Sequence, residues 1–422
     1  MFKTLKNAWN IPELRQKLIF TALILLLYRV GNVIPVPFVD VDKLNTYFNS
    51  VLSNTILGLY DAMSGSAFSM ATILALGIQP YINSSIIIQL LTIAIPALER
   101  LSKDGGEEGK KKINFITRCT TVGLGLVMGW AYYIMCGNSG YGIITESGFL
   151  PALTIILTFA AGSTVVMWLG EQITEHGIGN GISMILFANI ISRIPYGVST
   201  LFSMVWWQII IAVVGIVAIV LLIVLVNDAE RRIPVQYAKR VVGRKIYGGQ
   251  STNLPIKVAM TGVMPIIFAQ SIASLPATVY AFAGWKTDSW MYTNIWSNSS
   301  WVYAIVYFLL IFFFSWFYAS VQYDPIEIAN NLKKNGGFIP GFRPGKPTAD
   351  FIQKVINKIV VFGALYLGIV ALLPIVAGNI WESFGGLAIG GTSVIIVVSV
   401  ALETVKALEA QMLMRHYKGF LD

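Results

Sequence analysis

The sequence predicts an all-α membrane protein with ten transmembrane helices, on three observations. Hydrophobic residues make up 55% of the 422 and charged residues only 12%, too little charge to cover a soluble surface of that size. Apolar runs of about 20 residues, the length that crosses a bilayer, recur from end to end. Nearly all Lys and Arg fall on one side of those crossings.

The ten spans are placed at 18–35, 72–95, 114–136, 149–170, 181–201, 203–226, 257–282, 301–322, 358–377 and 388–409. Lys and Arg number four at the N-terminus, six in 96–118, seven in 227–257, six in 323–358 and three in the C-terminal tail. The opposite side holds Lys43, Arg193 and Lys286, and Arg29 lies inside the first span. Basic residues resist translocation, so this division places both termini in the cytoplasm. The net charge of +9 has its plainest explanation in that asymmetry. Tryptophans near the outer ends, among them Trp130, Trp206, Trp301 and Trp381, agree with it, because indole rings anchor at the interface. The first run lacks a small-residue cleavage site, so it reads as a retained helix.

Two stretches depart from a plain bundle. Asn54–Ala71 is apolar but short, broken by Gly and Ser, and marked by Asp61. It reads either as a re-entrant plugging segment or as an amphipathic outer loop. The other departure is the pair of long basic loops, 227–257 and 323–357. In the first, Ile233, Val235 and Tyr237 alternate with polar residues as in a short strand. The second is rich in Gly and Pro around Arg343 and Lys346. Thr348 is the expected N-cap of the helix that follows. These loops read as docking surfaces, or else as topology signals alone.

Several chemistries are excluded. "GFRPGKPT" at 341–348 is not a phosphate loop: its glycine spacing is one short, Pro347 stands where Ser or Thr is needed, and no strand is predicted before it. Gly125 and Gly129 form a GxxxG, common in membrane helices. Mid-membrane ionisable groups of the kind ion-coupled transporters use are missing from the span centres; Arg29 and Glu403 lie toward span ends. No nucleophile–base or paired-acid constellation appears within the spans, so an enzyme is not expected. Cys119 and Cys136 lie on one helix about 25 Å apart, beyond disulfide reach. With only His176 and His416 for imidazole, neither a metal nor another cofactor is expected.

Six runs together resemble the SecY family, the channel subunits of the bacterial protein-export translocon: "LALGIQPYINSSIIIQLL" (74–91), "GEQITEHGIGNGIS" (170–183), "RRIPVQYAKR" (231–240), "DPIEIANNLKKNGGFIPGFRPGKPTA" (324–349), "GGTSVIIVVSVALETV" (390–405) and "MRHYKGF" (414–420). They occur in family order along the whole chain. His176 stands where the family usually has Arg or Lys, and Asp324 where Asn is common.

The resemblance implies two inverted five-helix halves, 1–200 and 201–422, around a central pore, with a re-entrant plug helix at about 56–68. Its plug residues would include Gly58, Leu59, Asp61 and Gly65. It implies a pore ring of Ile82, Ile86, Leu186, Ile190, Ile267 and Ile396, and a lateral gate touched by Gln89, Thr92, Thr120, Gln270 and Ser271. Docking of the ribosome and the SecA ATPase would fall to Lys239, Arg240, Arg244, Lys245 and Arg343. SecE and SecG are the implied small subunits, the bacterial cytoplasmic membrane the location, and signal sequences and unfolded polypeptides the substrates. The implied function is a protein-conducting channel that also releases hydrophobic segments sideways into lipid. The rival is a secondary transporter of a small solute with an inverted-repeat fold.

Overall fold

The computed structural model describes residues 2–52, 56–103, 105–202, 205–237, 240–242, 245–247, 251–282, 295, 300–380 and 391–418. It begins with α1 (Phe2–Asn10) and α2 (Pro12–Gly31), whose first turn is opened by Pro12. A short α3 (Val41–Tyr47) and one π turn lead to α4 (Ile56–Ser64). Then come α5 (Gln79–Ala94), α6 (Pro96–Lys103), α7 (Gly106–Asn138), α8 (Phe149–His176), α9 (Gly181–Phe202) and α10 (Trp206–Asp228). The first long loop folds as β1 (Glu230–Tyr237), β2 (Arg240–Val242), β3 (Lys245–Tyr247) and β4 (Ser251–Lys257). The remainder is α11 (Met264–Phe282), α12 (Trp301–Gln322), α13 (Pro325–Lys334), β5 (Gly337–Phe338), α14 (Lys346–Ile380) and α15 (Gly391–Lys418).

Among the described residues, six helices are long and apolar enough to cross a membrane, or seven if α5 and α6 form one span bent by 106°. The three other expected spans fall on α2, α11 and α15. Large apolar side chains stand exposed along α2 and α10, including Leu23, Leu26, Leu27, Val214, Leu221 and Leu225. A surface of that kind requires lipid or a partner against it. The chain is a multi-pass membrane protein.

Several sequence expectations need correction. Residues 72–78 are not helical: turned chain occupies 65–78, with Gly65, Ser66, Ala71 and Gly77 at positive φ, and the helix starts at Gln79 with Pro80 in its first turn. Residues 257–263 finish β4 and then turn, so α11 starts at Met264. Thr348 is not an N-cap, since α14 already begins at Lys346; its Oγ1 instead donates to the Arg343 carbonyl at 2.8 Å. A two-residue strand, β5, also precedes "GFRPGKPT", although the spacing and Pro347 still forbid a phosphate loop.

Gly125 and Gly129 let α7 lie against α8: a Cβ on Gly125 would sit 2.8 Å from Ser163 Oγ, and one on Gly129 3.1 Å from the Ile156 carbonyl. Close backbone approach of this sort is what small residues permit between membrane helices.

Three hydrophobic clusters matter for function. The largest is shared by α2, α4, α5, α8, α9, α10, α11, α12, α14 and α15. A second, aromatic one joins Leu57 of α4 to Phe68, Tyr132 and Phe159. Within it Tyr132 meets Phe68 and Phe159 edge-on, with ring centroids 4.8 and 4.7 Å apart. The third lies under the antiparallel sheet β4-β1-β5, where Ile233 and Val235 alternate inward as their sequence pattern predicts.

Candidate functional site

The six side chains expected to form the ring come from four helices and all enter one large apolar cluster. Ile82 and Ile86 lie on α5, Leu186 and Ile190 on α9, Ile267 on α11 and Ile396 on α15; all belong to the largest cluster. Their exposure runs from 1% for Leu186 to 6% for Ile190, so none faces lipid. Both pairs repeat at i, i+4, which puts each pair on one helix face. β-branched Ile is stiff at χ1, and none of these five isoleucines and one leucine carries a hydrogen-bonding side-chain group.

The short helix α4 packs on this cluster through Tyr60 and Met63. Polar contacts hold its end. Met63 O accepts from Asn189 Nδ2 at 2.7 Å, and the Met63 thioether accepts from Gln79 Nε2 at 3.3 Å and Gln270 Nε2 at 3.4 Å. Ser64 O accepts from Asn32 Nδ2 at 3.3 Å. Asp61, buried, takes the Ser69 backbone N–H at 2.9 Å on one oxygen and Arg193 Nη1 at 3.0 Å on the other. Gly65 turns the chain out of the helix at φ +71°, where a Cβ would sit 2.8 Å from Arg29 Nη1. Arg29 itself donates to the Ala188 carbonyl. Gly58 is half-buried; the side chain of Leu59 lies outside the described residues.

The expected gate residues separate into two sets. Gln270 and Ser271 are buried on α11 beside a small cavity of about 10 Å³ that Tyr60 and Met63 also line. Gln89 and Thr92 on α5 and Thr120 on α7 are half-buried. Thr92 Oγ1 donates to Gln89 O at 2.7 Å and Thr120 Oγ1 to Ile116 O at 2.9 Å, so both hydroxyls are satisfied within their own helices. The α5–α7 tie that the sequence reading missed is Ser84 Oγ donating to the Thr117 carbonyl at 2.7 Å.

With this geometry in view, comparison with known proteins is decisive. The SecY family model matches residues 72–405. The protein translocase subunit SecY of Streptomyces scabiei is 42% identical over 444 aligned residues, covering 100% of each chain. The chain belongs to the SecY family.

Solved structures of lower identity share the fold. One, a SecY channel whose plug domain is reported to stabilise the closed state and maintain a membrane seal, matches with TM-score 0.65 and 20% identity over 94% of this chain and 92% of its own. Another, canine Sec61 in a ribosome–channel complex from the endoplasmic reticulum, gives TM-score 0.59 and 18% identity over 94% and 92%. Family membership decides against the small-solute transporter.

Of the expected docking residues, Arg240, Lys245 and Arg343 are among the described ones. Arg240 lies in β2 opposite Tyr247, and Lys245 in β3 opposite Val242, although nothing is described of either side chain. Lys239 and Arg244 lie outside the described residues. Arg343 is exposed in the loop between β5 and α14, which is braced by Phe342 against Phe351 with ring centroids 4.2 Å apart.

Proposed function

We propose that this chain is the channel subunit of a protein translocase, passing unfolded polypeptides through the Ile82, Ile86, Leu186, Ile190, Ile267 and Ile396 cluster. The observation that supports the reading is that these six apolar side chains, from four helices, are all buried in the one apolar cluster that α4 also enters through Tyr60 and Met63. An apolar constriction dewets and bars hydrated ions. It makes no hydrogen bond that would hold a passing chain, and its packed side chains part without breaking a polar contact. In this reading α4 is the plug, both termini are cytoplasmic, and residues 1–200 and 201–422 form two inverted halves. Hydrophobic segments leave sideways where α5 and α7 face α11 and α12.

The chain carries no nucleotide motif, so the driving energy comes from a docked partner: the SecA ATPase or a translating ribosome. Arg343 and the β2–β3 hairpin are the proposed contacts. Guanidinium groups suit ribosomal RNA, because they pair with phosphate bidentately. SecE and SecG complete the complex, and the apolar faces of α2 and α10 offer surface for such subunits or for lipid.

The test is reconstitution of the chain with its small subunits and motor in proteoliposomes. Precursor should become protease-protected in an ATP-dependent way. A reconstituted complex that never protects precursor, yet accumulates a small solute, would overturn the proposal.

A further inference from the structure

Helix α9 carries two sets of side chains offset by three residues. Leu186 and Ile190 enter the apolar cluster, while Asn189 and Arg193, also at i, i+4, meet α4. Arg193 is the only Lys or Arg between Arg118 and Arg231. Asp61 is the only acidic residue between Asp42 and Glu99. Folding brings these two solitary charges together: Arg193 Nη1 lies 3.0 Å from Asp61 Oδ2, with the carboxylate side chain 3% and the guanidinium 20% exposed.

From this we propose that Arg193 is a positioning residue of the channel, its ion pair with Asp61 latching the plug helix shut and setting how strong a signal sequence must be to open it. The idea rests on the channel reading above. A carboxylate this buried keeps its charge only while paired, and removal of one partner from a buried ion pair is far more costly than removal of both. Displacing α4 carries Asp61 away from Arg193 into a wetter place, where an ion pair is worth little. Opening therefore has to break the pair as well as the apolar contacts of Tyr60 and Met63. The neighbouring arginine does not substitute for Arg193: Arg29 points at the Ala188 carbonyl and the turn at Gly65, and no ion pair to it is found among the described residues.

The test measures plug position directly in the full complex in membrane vesicles. Cys119→Ser and Cys136→Ala remove the native thiols, and Ser69→Cys places a near-isosteric reporter at a buried position. The rate at which a membrane-impermeant maleimide labels that thiol reads plug opening. Arg193→Gln and Asp61→Asn should each raise the rate roughly tenfold or more. Arg193→Lys should stay near the wild-type rate, and Asp61→Asn with Arg193→Gln should label more slowly than Arg193→Gln alone. In parallel, Arg193→Gln should export a precursor whose signal sequence is too weak for the wild type. Unchanged labelling in the single variants, or single effects that simply multiply in the double one, would overturn the latch. Asp61→Asn keeps an acceptor for the Ser69 N–H and carries the test if Arg193→Gln does not accumulate in the membrane. Labelling needs no precursor, so a wild-type complex that fails to translocate counts against the channel reading and leaves the latch to be judged by its own rates.

Discussion

Gln236 of β1 lies opposite Phe338 of β5, and the next pair in the ladder is Tyr237 with Gly337. The two long basic loops, separate in the chain, are thus one body with a shared core of Ile233, Val235, Ile339, Ile352 and Ile356. A partner that grips either loop grips both, and the ends of α10, α12 and α14 move with them.

Val235→Asp should therefore damage both loops together. Val235 is 1% exposed in that core, and an unpaired carboxylate there costs about 3 kcal/mol or more. Limited proteolysis should cut within 230–257 and within 335–346 at similarly raised rates. Cleavage confined to the first loop would mean that the sheet does not couple them.

Arg343→Glu should abolish motor-driven export while the protein remains inserted and folded. The side chain is exposed, and among the described residues its backbone carbonyl alone is bonded, by Thr348. Charge reversal thus spares the fold and repels an anionic surface. Normal export by this variant would reduce the loop to a topology signal.

The proposed gate residues should behave unequally. Thr120→Val removes a hydroxyl already satisfied by Ile116 O and should leave export of weak-signal precursors within about twofold, a free-energy change of roughly 0.4 kcal/mol. Gln270→Leu removes a contact to Met63 of α4 together with a buried carbonyl oxygen that has no partner among the described residues. It should shift the export threshold several-fold. Equal effects of the two substitutions would argue against a gate on α11.

Deleting residues 58–65 should loosen discrimination, so that precursors with shortened signal sequences are exported. The deletion removes Asp61, Met63 and Ser64 and every polar contact they make. Discrimination equal to that of the parent chain would remove the plug assignment.

Much of this architecture was legible in the sequence because membrane helices are read from length and apolarity alone. The strand at Ile233–Tyr237 was legible by its alternation. What failed was local geometry inside apolar chain. Residues 72–78 are as hydrophobic as a helix, so composition gives no hint that they turn. The expected gate hydroxyls on α5 and α7 are bonded within their own helices, which residue type does not disclose. The holds on α4 were missed because they are distant: Asn189 reaches Met63 across 126 positions and Arg193 reaches Asp61 across 132. Read by charge counting, Arg193 was only an outer-side cation. The available signal was that it and Asp61 are each isolated in uncharged chain, since a charge kept in such a place needs a partner.

The most direct test is the conductance of the resting channel in planar bilayers. Ile86→Gly with Ile190→Gly removes two β-branched side chains, one on α5 and one on α9, from the buried cluster. The account predicts a steady ion leak from the double variant, with the wild type tight under the same voltage. A double variant as tight as the wild type would show that the seal lies elsewhere.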